Sequence, residues 1–434
     1  MSAWYPPYQL GGTEVYLEGL IKELAALGIN STALVARGSG VPEHYEYAGT
    51  TVETYFVNEQ PQANELRDGT PHQDFGAFRQ HLIAHRGGIY HQHSWTRGCG
   101  PHHLAAAREQ GLRTVLTVHV ASNLCLRGTM MRFGEAACDG RVDATVCGTC
   151  WAQSRGLPKV IAQQIAKLPL SVATRTRQRS GRIAMALSAR VQGADKLRQL
   201  RAMIDQSDRI VAVCAWVYDA LRAHGAPQDK LVLSRQGISS EYLKAVRGFG
   251  AMPATRPSKL SLLYLGSWNP AKGIEIVVRA VRSLPLDTAV QLTIRALGSG
   301  SEQQDYAARV RALAGDDRRI SIESPVSRDG LMAVLSPHDA LVVPSVALET
   351  GPLVVLEAQA AGKFVLGSRL GGIAELVDES DGGALVEAGN VTAWAMAIAD
   401  LARRHEKTNL PRPTRPVRTM SAAAADMAAL YRSL

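Results

Sequence analysis

Residues 260–297 read LSLLYLGSWNPAKGIEIVVRAVRSLPLDTAVQLTIRAL, and the order of residue classes within them decides the fold. LSLLYLG (260–266) is a short, largely apolar run and reads as a strand. Asn, Pro, Lys and Gly then break it. From 273 to 284 the apolar residues return at three-to-four spacing, the helical period. A second apolar run, VQLTIRAL (290–297), follows after a short polar joint. Strand, helix and strand in that order predict a parallel βαβ unit.

The alternation continues in both directions. RISI (319–322), ALVVPS (340–345) and KFVLGS (363–368) read as further strands, and 302–313, 353–361 and 392–403 carry the helical period. Toward the amino terminus the pattern repeats less clearly. A helix over about 12–27 precedes strands at STALVA (31–36), GIYHQH (88–93), TVLTVH (114–119) and DRIVAVC (208–214). An amphipathic stretch to His224 and LVLSRQGI (231–238) complete that half. The stretch 245–260, AVRGFGAMPATRPSKL, is rich in Gly, Pro and small residues and has no period, so it reads as the join.

The expected architecture is α/β, with two Rossmann-like doubly wound domains facing each other across a cleft. The amino-terminal domain is placed at 1–245, the linker at 246–259 and the second domain at 260–410. A tail or helix at 411–434 is expected to pack back on the first domain. Ligands of doubly wound sheets lie at the carboxyl ends of the strands, which makes the cleft the expected site. One feature departs from the pattern. A doubly wound domain opens with a buried strand, yet only about five residues precede the first glycine loop, so the opening strand reads as clipped, short, or begun upstream of Met1.

The chain is 46% hydrophobic and 20% charged, a globular composition, and no apolar run reaches the ~20 residues of a membrane helix. MSAWYPPYQLGG lacks a basic start followed by an apolar stretch, so export is not expected. The formal charge of +9 is concentrated. Eleven Arg or Lys fall within 155–201 against one acid, Asp195, and no aromatic residue interleaves them. Nucleic acid is therefore disfavoured; an anionic lipid surface or phosphorylated acceptor fits better, beside the plain alternative of a solvated helix face.

Chemistry concentrates in PSVALETGPLVVLEAQAAG (344–362), where Glu349 and Glu357 flank the start of a predicted helix. Carboxylates accept hydrogen bonds from neighbouring hydroxyls, and free helix N–H groups hold phosphate, so the pair suits a sugar nucleotide without needing a metal.

Several separated blocks together resemble the retaining glycosyltransferases of family 4, which have the GT-B fold. They are GGTEVYLEGL (11–20), TVLTVH (114–119), YLGSWNPAKGIEIVVRAV (264–281), the double-glutamate block, and SRLGGIAEL (368–376). The resemblance implies transfer of a sugar, with retention, from a nucleotide-diphosphate sugar to a glycan or lipid-linked acceptor. It implies that Glu357 binds ribose hydroxyls, that Glu349 contacts the donor sugar, and that Lys272 neutralises the diphosphate. The N–H groups of Gly11, Gly12, Gly351, Leu353 and Val354 would cradle the phosphates, and His119 would reach the sugar or a phosphate oxygen. Glu349, Lys272 and His119 would be the catalytic residues.

Two positions depart from the family pattern. Ser267 stands where an Arg is common, so a diphosphate contact is missing or supplied elsewhere, with Arg235 the candidate substitute; Val120 follows His119 where an acid is frequent. No Asp-X-Asp occurs, and no cofactor is expected to be required for catalysis. Cys125, Cys138, Cys147 and Cys150, ending in C-x-x-C, read as a structural zinc site, with an iron–sulfur cluster or unligated thiols as alternatives.

A cytoplasmic enzyme, peripheral at the inner face of the membrane, is the leading expectation. A nucleotide-sugar epimerase of the same fold and a non-catalytic membrane-associated sugar-nucleotide binder are the alternatives. A dehydrogenase is disfavoured, because no G-x-G-x-x-G follows a predicted first strand.

Overall fold

The computed structural model describes residues 1–8, 11–38, 43–57, 71, 75–96, 98–177, 182–248 and 258–434. They form two compact units, Met1–Arg235 with Met420–Leu434, and Gln236–Thr419. The second begins ten residues before the expected linker, because the amphipathic helix Ser240–Gly248 belongs to it through Tyr242. Linker residues 249–257 lie outside the described residues. The carboxy-terminal stretch is divided: 411–419 stays with the second unit, and the helix Met420–Arg432 packs in the first, against the helix Gly12–Ala26.

The first unit carries β1 (Ala33–Arg37), β2 (His44–Tyr47), β3 (Thr50–Phe56), β4 (Ile89–Gln92), β5 (Arg113–Val118), β6 (Met131–Arg132), β7 (Ala136–Ala137), β8 (Arg209–Ala212) and β9 (Leu231–Leu233). β4, β5, β8 and β9 make a four-stranded parallel sheet in that order. β1, β3 and β2 make a separate sheet, with β1 parallel to β3 and β2 turned back against it. LVLSRQGI, expected to complete this half, pairs only over β9. Beyond it the chain leaves the sheet, and Ile238 pairs with Thr419 in the second unit. Tyr16, Leu20 and Leu24 of the first helix meet Val115, Val211 and Met427 in one core.

The second unit is a six-stranded parallel sheet of β10 (Leu260–Ser267), β11 (Val290–Leu297), β12 (Ile320–Glu323), β13 (Ala340–Val343), β14 (Phe364–Ser368) and β15 (Gly383–Val386), in the order β12-β11-β10-β13-β14-β15. The apolar run that opens this sheet divides by the pleat. Leu260, Leu262 and Tyr264 enter one core with the helices Ile274–Ser283 and Val391–Lys407. Leu263 enters the opposite core with Leu341, Val355 and Ile373. A strand covered on both faces gains nothing from polar alternation, hence the unbroken run. Truncating Leu263 to Ala would cost roughly 2–5 kcal/mol.

Two short elements carried no legible period: the helix Gly371–Leu376 and the edge strand β15. The strand order reverses between β10 and β13, the kind of switch point beside which ligands of doubly wound sheets lie. No helix among the described residues is long and apolar enough to cross a membrane.

Candidate functional site

β10 ends at Ser267, and the chain turns through Trp268–Lys272 into a helix. Asn269 holds the turn by accepting from the Ala271 N–H at 2.9 Å. Gly273 adopts φ 69°, and a Cβ there would fall on the Pro344 carbonyl oxygen, so only glycine lets this turn lie against the end of β13. The Val346 N–H donates to the Ala271 oxygen at 2.9 Å and ties the two loops together.

This juxtaposition brings Lys272 to Glu349. The ammonium donates to Glu349 Oε1 at 2.7 Å, and the Ser345 hydroxyl donates to the same oxygen at 2.8 Å. Both charged side chains are part-exposed, at 32% and 18%. A ligand can therefore reach either one, and water weakens the pair without abolishing it. The Glu349 carbonyl accepts the Gly372 N–H at 2.7 Å. A Cβ on Gly372 would stand 2.6 Å from the Gly351 nitrogen, so the loop 349–351 closes on the helix Gly371–Leu376 only because that helix starts with glycine.

Gly351 has φ 127°, and the helix Leu353–Ala360 begins after Pro352 with no side chain capping it. The N–H groups of Leu353 and Val354 thus belong to an uncapped helix start, where an anion is favoured. Glu357 lies one turn further along. Burial raises its carboxyl to about 7, against the opposing pull of Arg328. Tyr242 packs beneath, its hydroxyl donating to the Glu357 carbonyl at 2.9 Å. Ser267 is part-buried at the end of β10, its carbonyl accepting from the Tyr264 hydroxyl at 3.2 Å.

In the first unit, Gly11 and Gly12 open the helix Gly12–Ala26 and are exposed. The carboxylate of Glu14, which sequence reasoning passed over, folds back onto the N–H groups of Gly11 and Glu14; burial raises it and those bonds oppose the rise. His119, just past β5, is 4% exposed. Its Nε2 lies 3.1 Å from His93 Nδ1 and the two rings stack, while His91 lies against His93 at 3.9 Å between centroids. Burial lowers His119 to about 3, so it is neutral at ordinary pH. His91 and His93 were readable only as His-x-His at a buried strand end, two residues on one face. Arg235 ends the long segment of the first unit and is part-buried.

The four cysteines come together. Cys125, Cys138, Cys147 and Cys150 line one cavity of about 30 Å³ with Met130 and Met131. The Phe133 N–H donates to Cys150 Sγ at 3.2 Å and the Asp143 N–H to Cys147 Sγ at 3.4 Å. All are free thiols, and burial pushes Cys147 up to about 11. Among the described residues, no three His, Cys, Asp or Glu side chains already stand as a metal ligand set.

The basic stretch is only partly a solvated face. Lys196 is buried, its ammonium donating to the Ser122 carbonyl and lying 4.2 Å above the Trp95 ring. Arg190 donates to the Leu168 carbonyl, and Arg198 pairs with Asp195. Beside these, Val160, Ile161, Leu170 and Ile183 are exposed apolar residues on the same run of helices.

Residues 259–404 match the family Glycosyl transferases group 1. The D-inositol 3-phosphate glycosyltransferase of Mycobacterium ulcerans is 30% identical over 206 residues, 46% of this chain and 44% of that protein. Its counterpart in Mycolicibacterium smegmatis is 27% identical over 208 residues, 46% and 47% of the two. The matched stretch is thus less than half the length of these curated relatives.

Among solved structures, the sucrose-phosphate synthase of Thermosynechococcus elongatus superposes with a TM-score of 0.60 at 19% identity, over 98% of this chain and 93% of that one. Anabaena HepE, in complex with UDP, superposes with 0.52 at 15%, over 98% and 94%. These likenesses show the fold, two α/β units with parallel sheets of the GT-B type.

Proposed function

We propose that the chain is a retaining glycosyltransferase of family 4 that takes a sugar from a nucleotide-diphosphate sugar and needs no cofactor for the transfer. The observation that carries this reading is the Lys272–Glu349 pair, set beside an uncapped helix start at the switch point of the second sheet. Without donor, each charge answers the other. When a diphosphate reaches Lys272, the ammonium turns to it and Glu349 is released to accept from sugar hydroxyls. The N–H groups of Leu353, Val354 and Gly351 hold the phosphates, and Glu357, ionised, accepts from the ribose.

In the transfer, the bond between the anomeric carbon and the phosphate oxygen breaks, and its electron pair stays on the nucleoside diphosphate. The acceptor oxygen bonds the same face of the anomeric carbon, and its proton passes to the departing phosphate. Charge grows on that phosphate, where a fixed cation and helix dipole lower the barrier. Gly11 and Gly12 supply further N–H groups once Glu14 gives way, and neutral His119 donates to the sugar or a phosphate oxygen. Arg235 replaces the contact that Ser267 cannot make.

The acceptor in this reading is a glycan or lipid-linked glycan met at the cytoplasmic face of a membrane. The mix of cations and exposed Val160, Ile161, Leu170 and Ile183 supports it, since charge and apolar insertion together hold a peripheral protein. Sedimentation with phosphatidylglycerol vesicles should exceed that with phosphatidylcholine; equal sedimentation removes the membrane from the reading. The four thiols would hold a structural zinc after deprotonating and drawing in.

Thermal-shift screening against nucleoside diphosphates and their sugars tests the donor. A ligand at 100 times its Kd adds about 2.7 kcal/mol to the folded state. A panel without a single shift would defeat the assignment.

A further inference from the structure

Two donors meet on one oxygen of Glu349, and they differ in freedom. Lys272 reaches Oε1 at 2.7 Å along a four-carbon stem, and its side chain is 32% exposed. Ser345 reaches the same oxygen at 2.8 Å through a single side-chain carbon, and the residue is 1% exposed. The ammonium can swing toward an incoming anion at little cost. The hydroxyl cannot turn from the carboxylate without giving up a buried, charge-assisted hydrogen bond.

The backbone under both Ser345 and Glu349 is anchored. Ser345 lies just past β13, a strand buried along its whole length. On one side of it the Pro344 carbonyl oxygen stands where a Cβ on Gly273 would fall, so the turn after β10 is pressed against this point. On the other side the Val346 N–H donates to the Ala271 carbonyl at 2.9 Å. Glu349 is tied through its own carbonyl, which accepts the Gly372 N–H at 2.7 Å. The hydroxyl is thus set against the carboxylate by main chain that a ligand need not move. A carboxylate oxygen offers about two acceptor sites, and Lys272 and Ser345 take up both on Oε1. A further donor enters there only when one of them leaves, and the exposed ammonium is the one able to go.

We propose that Ser345 is a positioning residue for the donor sugar: it keeps Oε1 of Glu349 in place while the Lys272 ammonium turns to a diphosphate, so that a sugar hydroxyl takes the position the ammonium vacates. This role rests on the glycosyltransferase reading above and adds what holds Glu349 once its counterion has turned away. A bare nucleoside diphosphate engages Lys272 and leaves the vacated position to water, so its binding does not draw on Ser345. A diphosphate that carries a sugar does draw on it, because its hydroxyl donates to a carboxylate that must already point the right way. Without the serine hydroxyl, Oε1 loses the donor that does not move.

Calorimetric titration of the parent protein with UDP and UDP-glucose, ADP and ADP-glucose, and GDP and GDP-mannose finds the pair it binds. For that pair, Ser345→Ala should weaken the sugar nucleotide about tenfold, the scale of one hydrogen bond to a charged group, and leave the nucleoside diphosphate within about twofold. Ser345→Thr keeps the hydroxyl and should return the ratio of the two dissociation constants to that of the parent. In a Glu349→Ala background, Ser345→Ala should change the ratio no further, because the carboxylate it acts through is gone. Should Ser345→Ala fail to fold, Ser345→Cys, close in size and only a weak donor, gives the same comparison. Equal weakening of both ligands is the mark of a merely structural serine and overturns the proposal. An unchanged ratio overturns it too, as does a loss that persists in the Glu349→Ala background. A parent that binds no member of any pair defeats the glycosyltransferase reading itself, an outcome distinct from a parent that binds a pair and a variant that keeps the ratio.

Discussion

Lys272 and Glu349, 77 residues apart in the chain, hold each other at 2.7 Å across the ends of two adjacent parallel strands. Each is the other's counterion, and in the proposed reaction a diphosphate competes for the ammonium before the carboxylate turns to a sugar.

In the proposed transfer, replacing Lys272 with Ala removes the fixed cation at the leaving group. Turnover at saturating donor should fall about 10²–10³-fold, the scale seen when one preorganised donor is lost from a charge-stabilising site. The folded structure should persist, because the pair is part-exposed and contributes little stability. Steady-state kinetics with a circular-dichroism control checks both, and unchanged turnover in a folded variant refutes the assignment.

Glu357 makes the site sensitive to pH. Its carboxyl is raised from 4.5 to about 7 by burial, so the native state holds the proton more tightly than the unfolded chain does. Stability from this group is therefore greatest below about 4.5 and declines as pH rises to about 7. Donor affinity should run the other way, climbing as pH rises through about 7, because in the proposed site only the ionised carboxylate can accept from both ribose hydroxyls. Calorimetric titration of nucleoside diphosphate from pH 5.5 to 8.5 reads this directly. Glu357→Gln should flatten the profile; a parallel slope in the variant would place the titrating group elsewhere.

Gly372→Ala should both destabilise the protein and loosen the donor site. The added methyl meets the Gly351 nitrogen and the Thr350 carbonyl carbon at 2.6 and 2.7 Å, backbone atoms that cannot rotate away. Overpacking of this kind costs about 1–3 kcal/mol. Gly76→Ala is the control, a helical position with nothing within 4 Å of the new Cβ. Thermal melting should separate the two, with the control unchanged or slightly more stable.

Zinc in the four-thiol cavity is checked by elemental analysis of protein purified without chelator, with about one equivalent expected. Cys147→Ser and Cys150→Ser should each lower both the zinc content and Tm. Less than about a tenth of an equivalent of any transition metal in the parent protein ends the zinc reading.

The two halves of the chain differed in how far their sequence could be read. VQLTIRAL coincides with β11, and the helix Leu353–Ala360 stops one residue short of its expected end. Both belong to a sheet buried on two faces, where apolar runs and helical periods are strongest. The helix Gly371–Leu376 and strand β15 are short and near an edge, and so carry too few apolar residues to show a period. The boundary between the units falls ahead of the expected linker for a related reason. Ser240–Gly248 is amphipathic but ends among small residues, and composition alone could not assign it to the core around Tyr242.

By itself the sequence determined the α/β alternation, the glycines at the tight turns, and the residue types able to meet a phosphate or a hydroxyl. All of these follow from local geometry: the pleat, the 3.6-residue turn and the freedom of a residue without Cβ. Only the tertiary structure decided who stands beside whom. Strand order in the sheet is not chain order, so the partnership of Lys272 with Glu349 and the stack of His93 on His119 exist only after distant segments have packed.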